Sequence, residues 1–125
     1  MADILVIDDE GFIRRTIGHV LRRAGHTVRE GASGSEGLAL FQEKRPHLVI
    51  TDILMPEPDG NALIGTMHEA APEVPIVAIS GATDRDGFIR AATERGASLA
   101  LVKPFPLNDL ITHVETLLRP VGRNP

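Results

Sequence analysis

Short apolar runs alternate with stretches of helical periodicity along the whole chain. Five runs have the length of strands, and they cover residues 4–7, 26–30, 48–50, 75–80 and 99–102. After each run, apolar side chains recur at helical spacing, which predicts five amphipathic helices; Ala24 and Ala70 complete the apolar faces of the first and third. Strands that alternate with helices favour a parallel sheet with right-handed crossovers. The pattern therefore predicts an α/β fold with a doubly wound, five-stranded parallel sheet and helices on both faces.

Local signals refine the second strand and the second helix. Residues 26–30 are polar except for Val28, which predicts an edge strand. Ser33 and Glu36 have the spacing of a capping box at the start of the second helix. We prefer this interpretation to a phosphate-binding loop, because the nearby glycines follow a G-x-x-G-x-x-G spacing that matches neither the dinucleotide nor the Walker pattern.

Length and composition indicate one ordinary globular domain. We assign it to residues 1–119 of the 125, with a short C-terminal tail at residues 120–125. No apolar run approaches the roughly 20 residues that a membrane helix needs. The absence of cysteine excludes disulfides and thiolate metal sites, and we expect a cytoplasmic protein. A net charge of −4, and four phenylalanines without tyrosine or tryptophan, argue against direct nucleic-acid binding.

Chemically useful side chains come directly after four of the five predicted strands. Asp8 and Asp9 follow the first strand, Asp52 ends the third, Ser80 ends the fourth, and Lys103 follows the fifth. In a doubly wound sheet, functional groups gather beyond the carboxyl ends of the strands. We therefore expect these residues to share one edge of the sheet.

Carboxylates that are crowded at one edge repel each other, and a hard dication relieves that repulsion. Oxygen ligands without cysteine or histidine suit Mg²⁺ better than zinc. A metal-bound carboxylate beside a cation is also a nucleophile for a phosphoryl group. Lys103 provides such a cation, and it is one of only two lysines among 13 basic residues. The sequence thus favours Mg²⁺-assisted phosphoryl chemistry at Asp52.

The chain resembles the receiver domain of two-component response regulators (the CheY-like superfamily). The resemblance rests on the order and spacing of these residues: Asp8-Asp9, Asp52 with Met55-Pro56-x-x-Asp59-Gly60, Ser80 and Lys103-Pro104. The resemblance implies a flavodoxin-like sheet with the strand order 2-1-3-4-5. It also implies that Asp52 accepts a phosphoryl group from a histidine kinase or a histidine phosphotransfer protein, and that this switches partner binding without enzymatic turnover.

The same resemblance implies a role for each residue of the site. It assigns Mg²⁺ to these ligands: Asp9, Asp52 and the main-chain carbonyl of Leu54, with Asp8 acting through metal-bound water. Ser80 would hydrogen-bond the phosphoryl group, and Lys103 would pair with it electrostatically. The Lys103–Pro104 peptide would be cis.

The sequence departs from the family pattern at four positions. Ala100 stands where receivers usually carry a tyrosine or phenylalanine that relays the switch. Gly81 replaces the commoner alanine after Ser80, which predicts a looser loop. Leu54 and Ala82 flank the site with apolar side chains that cannot orient an attacking water. We therefore hypothesise that the phosphorylated form loses its phosphoryl group slowly.

The downstream partner is left open by the sequence. By analogy, an unknown protein would bind the face formed by the fourth helix, fifth strand and fifth helix, which carries Arg90, Glu94, Arg95, Ala100 and His113. No membrane association is expected. Two alternatives remain: a degenerate, phosphate-independent receiver, suggested by Ala100, and an aspartate-nucleophile phosphohydrolase. The second is disfavoured, because haloacid dehalogenase-type phosphatases carry an acid where this chain has Leu54. The chain is either a stand-alone regulator or part of a longer protein.

Overall fold

A computed structural model describes residues 2–55, 60–81 and 87–119 of the protein. Its strands are β1 (Asp3–Ile7), β2 (Thr27–Gly31), β3 (Leu48–Asp52), β4 (Ile76–Ser80) and β5 (Leu99–Val102). Its helices are α1 (Gly11–Arg23), α2 (Gly34–Glu43), α3 (Gly60–Ala70), α4 (Phe88–Arg95) and α5 (Leu107–Leu118). The alternation of strand and helix that the sequence predicts is confirmed.

The five strands form one parallel sheet in the order β2-β1-β3-β4-β5. This confirms both the doubly wound architecture and the strand order, and it places β2 at an edge as predicted. The register aligns Asp52 of β3 with Ile79, and Ser80 of β4 with Val102 of β5. The ends of the central strands therefore reach the same edge of the sheet.

The core consists of two apolar clusters, one on each face of the sheet. Successive strand residues point to opposite faces, so Leu5 and Ile7 join one cluster while Ile4 and Val6 join the other. The first cluster packs under α2, α3 and α4, and the second packs under α1 and α5. All residues of β1, β3 and β4 are buried, which explains why these strands are continuous apolar runs.

The capping box at the start of α2 is confirmed, with one difference. The Ser33 hydroxyl accepts a hydrogen bond from the Glu36 amide at 3.0 Å, whereas the Glu36 carboxylate accepts from the amide of Ala32, not from Ser33 itself. Two predicted core positions are wrong, because Ala24 and Ala70 are exposed.

Some predicted positions are outside the described residues, namely Pro56, Asp59, Ala82 and the tail at residues 120–125. Among the helices that the structure describes, none is both long and apolar enough to cross a membrane.

Candidate phosphoryl-transfer site

Four strand ends bring the predicted site residues to one edge of the sheet. Asp52 and Ser80 are the last residues of β3 and β4, while Asp8 and Lys103 directly follow β1 and β5. Main-chain hydrogen bonds continue the sheet past these ends, including one of 2.8 Å from the Lys103 amide to the Ser80 carbonyl. The Lys103–Pro104 peptide is cis, as the resemblance implied.

The Lys103 ammonium is the electrostatic centre of the site. Its Nζ lies 3.5 Å from Oδ2 of Asp52 and 3.4 Å from Oδ2 of Asp8. A third and shorter contact, 2.8 Å, joins it to Oε1 of Glu10. One cation therefore faces three carboxylates, and the site carries excess negative charge.

Glu10 is a site residue that the sequence analysis did not identify. The acids that lie close enough to share a cation are Asp8, Glu10 and Asp52, whose ligand atoms are all within 4.8 Å of one another. Asp9, the predicted metal ligand, is exposed and does not join this group of described side chains. The signal for Glu10 was its place as the third acid of the Asp8-Asp9-Glu10 run.

Burial and crowding change the protonation of the buried acids. Burial, and then the charge of Asp8, raise the pKa of Asp52 to about 6, while Lys103 and the Leu54 amide act against this rise. Asp9 adds a smaller upward contribution, so its charge still acts on Asp52. Burial likewise raises the pKa of Asp8, although the Glu10 amide donates a 2.9 Å hydrogen bond to it.

For the Lys103 ammonium, the surrounding negative charges outweigh the effect of burial on the pKa. Burial alone would lower the pKa of Lys103, but its hydrogen bond to Glu10 and the charges of Asp52 and Asp8 outweigh burial. The pKa of Lys103 is therefore raised, and the side chain is fully charged at neutral pH.

The Ser80 hydroxyl is fully buried at the end of β4. Its Oγ has no hydrogen-bond partner within the part of the chain that the structure describes. A buried hydroxyl without a partner is energetically costly, so this atom has unused capacity for a ligand at the strand end.

The turn after Asp52 is held close to the strand by Gly60. The Gly60 amide donates a 2.9 Å hydrogen bond to the Ile53 carbonyl, and a Cβ at position 60 would overlap the main chain of Asp52 and Ile53. Leu54 lies within this turn with 46% of its surface exposed. At Gly81, an added Cβ would make only an ordinary 3.9 Å contact with Leu54, so crowding does not require a glycine there.

An apolar groove of about 230 Å³ begins at Lys103 and runs along α1. Its walls include Phe12 and Thr16 of α1, together with Pro104 and Phe105. Phe12 is 77% exposed, which is unusual for a large aromatic side chain. The groove thus places exposed apolar surface directly beside the charged site.

Comparison with known proteins identifies the family of the chain. The family model for the response regulator receiver domain matches residues 4–115. A probable transcriptional regulator, ycf27, of Porphyridium aerugineum is 35% identical over 96% of this chain and 49% of its own length. The transcriptional regulatory protein PrrA of Mycobacterium tuberculosis is 34% identical over 95% of this chain and 51% of its own.

The solved receiver domain of NtrX from Brucella abortus has the same fold. It is 36% identical with a TM-score of 0.87, over 93% of this chain and 98% of that one. The chain spans about half the length of the curated relatives it matches. The match to the family model covers nearly the whole described chain, and the chain belongs to the response regulator receiver domain family of two-component signalling.

Proposed function

We propose that Asp52 accepts a phosphoryl group from a histidine kinase or a histidine phosphotransfer protein, and that phosphorylation changes which partner the domain binds. The observation that carries this proposal is the position of Asp52, with its carboxylate 3.5 Å from the Lys103 ammonium. A buried acid next to a cation is suited to receive an anionic group. The neighbouring strand ends at Ser80, whose hydroxyl has no partner among the described residues.

The residues present fit Mg²⁺ as the cofactor. The donor set is oxygen only, and it holds more negative charge than Lys103 neutralises. Asp9, Asp52 and the main-chain carbonyl of Leu54 would hold the ion, with Asp8 acting through a water. Asp9 acts electrostatically on Asp52 already, which supports its assignment. When bound, Mg²⁺ supplies positive charge that stabilises the oxygens of the transferring group.

The protein's own groups perform the remaining tasks. The Asp52 carboxylate is the nucleophile, and its position at the end of a buried strand fixes its direction of attack. Lys103 supplies a compact charge to a phosphoryl oxygen. The Ser80 hydroxyl donates a hydrogen bond to a second oxygen, which gives a partner to an atom that has none among the described residues.

The direct test is incubation with acetyl phosphate and Mg²⁺, followed by intact-mass measurement. We expect the wild type to gain the mass of one phosphoryl group and Asp52→Asn to gain none. Asp109→Asn, which removes an exposed acid from the first turn of α5, is the matched control and should react like the wild type. An unmodified wild type, or equal modification of Asp52→Asn, would contradict the proposal.

The groove beside Lys103 suits the phosphodonor. Lys103 contacts Asp52 and also lines the groove, so a helix bearing the phosphohistidine can pack its apolar face in the groove beside the site. Helix α1 carries four arginines and no acid. Arg14 and Arg22 pair with Glu30, whereas Arg15 and Arg23 are exposed. We therefore expect acidic side chains on the donor where it meets α1, away from the acidic surroundings of Asp52.

Replacing Phe12 tests this docking surface. Since Phe12 is 77% exposed, Phe12→Ala should leave the unfolding midpoint nearly unchanged. It should slow transfer from a phosphorylated histidine phosphotransfer protein about ten-fold or more, as loss of an exposed aromatic anchor does at interfaces. Modification by acetyl phosphate should be unaffected, because this small donor does not need the groove. Equal slowing with both donors would contradict docking at Phe12.

The output surface is the face of α4, β5 and α5, where we propose that an unidentified downstream protein binds. We propose that this domain does not contact nucleic acid or a membrane directly. Ala100 favours one alternative, a receiver that functions without phosphate, and failure to react with acetyl phosphate would support it. Turnover of phosphorylated metabolites would instead indicate a phosphohydrolase, which the apolar Leu54 disfavours.

A further inference from the structure

We propose that Glu10 holds the Lys103 ammonium in the unphosphorylated protein and competes with the incoming phosphoryl group for it. Glu10 is then a positioning residue that sets how readily the domain accepts and keeps phosphate. This inference rests on the proposed function of Asp52, and it adds a residue for which the sequence analysis gave no role.

The contacts of Lys103 single out Glu10. The Lys103 to Glu10 distance of 2.8 Å is shorter than the 3.4 Å to Asp8 and the 3.5 Å to Asp52. Glu10 also donates its amide to Oδ1 of Asp8 at 2.9 Å, which fixes its main chain next to the site. Its carboxylate therefore covers the ammonium at close range.

An ammonium has three hydrogens to donate, and three carboxylates surround this one. It donates hydrogen bonds to Glu10 and Asp8, whereas its 3.5 Å contact with Asp52 is an ion pair. Phosphorylation bonds one oxygen of Asp52 to phosphorus and removes the charge of this carboxylate, so the phosphoryl group then shares the ammonium with Asp8 and Glu10. Asp8 is 1% exposed, so releasing it would leave a buried charge without its cation. Glu10 is 59% exposed and can turn into water instead. Glu10 is thus the partner that Lys103 exchanges for the phosphoryl group.

Removing the charge of Glu10 should weaken its contact with Lys103, because a glutamine oxygen still accepts a hydrogen bond but attracts the ammonium less strongly. We expect Glu10→Gln to bind beryllofluoride, a mimic of the phosphoryl group, about two- to five-fold more tightly than the wild type, the range for a partly exposed ion pair. The half-saturating concentration of acetyl phosphate should fall by the same factor. The phosphorylated form should also persist longer, because Glu10 no longer draws Lys103 away.

Two further variants separate competition from general charge repulsion. Glu10→Asp keeps the charge but is one methylene too short for the 2.8 Å contact. If Glu10 competes for Lys103, Glu10→Asp should behave like Glu10→Gln. If it only repels anions, Glu10→Asp should behave like the wild type, and the proposal is overturned. Glu43→Gln removes an equal charge at the end of α2 and should change nothing.

The measurement is a titration with beryllofluoride followed by ¹⁹F NMR at saturating Mg²⁺, with Mg²⁺ affinity determined separately for each variant. In a Lys103→Met background the effect of Glu10→Gln should disappear; an effect of unchanged size there would overturn the inference. If the wild type and Glu10→Gln bind beryllofluoride with the same affinity, the role of Glu10 is refuted while the proposed function of Asp52 stands. Wild type that binds no beryllofluoride and takes no phosphate would refute the proposed function, and the inference with it.

Discussion

Asp52 is a buried carboxylate next to a second buried carboxylate, Asp8, and this pair makes the unphosphorylated site electrostatically unfavourable. Burial and the charge of Asp8 raise the pKa of Asp52 from 3.8 to about 6. An acid with a raised pKa in the folded protein stabilises the fold only while it is protonated. Its contribution is complete below pH 3.8 and is lost as pH rises through about 6. At neutral pH the ionised Asp52 therefore lowers the free energy of unfolding.

Asp52→Asn removes the buried negative charge that lowers the free energy of unfolding. Without Mg²⁺, we expect the variant to exceed the wild type in free energy of unfolding by about 1 to 3 kcal/mol at pH 7.5 and by much less near pH 4. Urea unfolding followed by circular dichroism measures this, since the chain has no tryptophan or tyrosine for fluorescence. Saturating Mg²⁺ should stabilise the wild type more than the variant. A gain that is equal at both pH values would contradict the electrostatic origin.

Leu54 gives a second prediction at the residue scale, which concerns the lifetime of the phosphoryl group. Its exposed apolar side chain in the turn after Asp52 offers no hydrogen bond to an attacking water. Leu54→Asn should therefore shorten the lifetime of the phosphorylated protein severalfold, measured as the loss of the phosphoryl mass after removal of the donor. Leu54→Met, which stays apolar and similar in size, is the control. An unchanged lifetime in Leu54→Asn would count against the hypothesis.

At the scale of elements, the sequence predicts the scaffold of the site better than its contacts. Continuous apolar runs identify β1, β3 and β4, and the polar residues at the carboxyl ends of these runs identify the edge where the chemistry lies. The regular alternation of side chains ends with the strand, so it does not tell which of Asp8, Asp9 and Glu10 turns inward. Glu10 meets Lys103 across 93 sequence positions, a contact that no local pattern encodes.

The β3–α3 turn gives a prediction at the same scale. Gly60→Ala should lower the free energy of unfolding by about 1 to 3 kcal/mol, because the new Cβ overlaps the main chain of Asp52 and Ile53. The shifted turn should also weaken Mg²⁺ binding, measured by calorimetry. Gly65→Ala on the same helix is the control. Its Cβ would lie 3.4 Å from the Arg95 side chain, and it should be neutral or slightly stabilising. Equal effects of both variants would argue against crowding at Gly60.

For the molecule as a whole, the two apolar clusters lie on opposite faces of the sheet. The cluster under α1 and α5 supports the groove that we assign to the phosphodonor. The cluster under α2, α3 and α4 receives Ala100 at its margin, where receivers usually carry an aromatic ring. The sequence reveals that Ala100 replaces the usual aromatic residue, but it does not reveal the path by which the signal is then transmitted. Without an aromatic side chain at this position, the neighbouring strands have to transmit it.

The register of β4 and β5 indicates that path. Ser80 pairs with Val102 and Ala78 with Ala100. We therefore expect a movement of Ser80 toward a phosphoryl group to act on β5 directly, without an aromatic relay. We expect beryllofluoride and Mg²⁺ to shift backbone amide resonances of β5 and of the flanking helices α4 and α5, measured by ¹H–¹⁵N NMR on the wild type.

Asp52→Asn under the same conditions should show no shifts in β5, which separates the effect of the acyl-phosphate mimic from that of free ions. Shifts that stay within the strand ends around Asp52, and leave Ala100 and α4 unchanged, would mean that this domain does not transmit through the α4–β5–α5 face. Transmission through this face requires only that two paired strands move together, since the main-chain hydrogen bond from Lys103 to Ser80 already couples them. An alanine at position 100 is compatible with such coupling, because the signal then passes through the sheet itself.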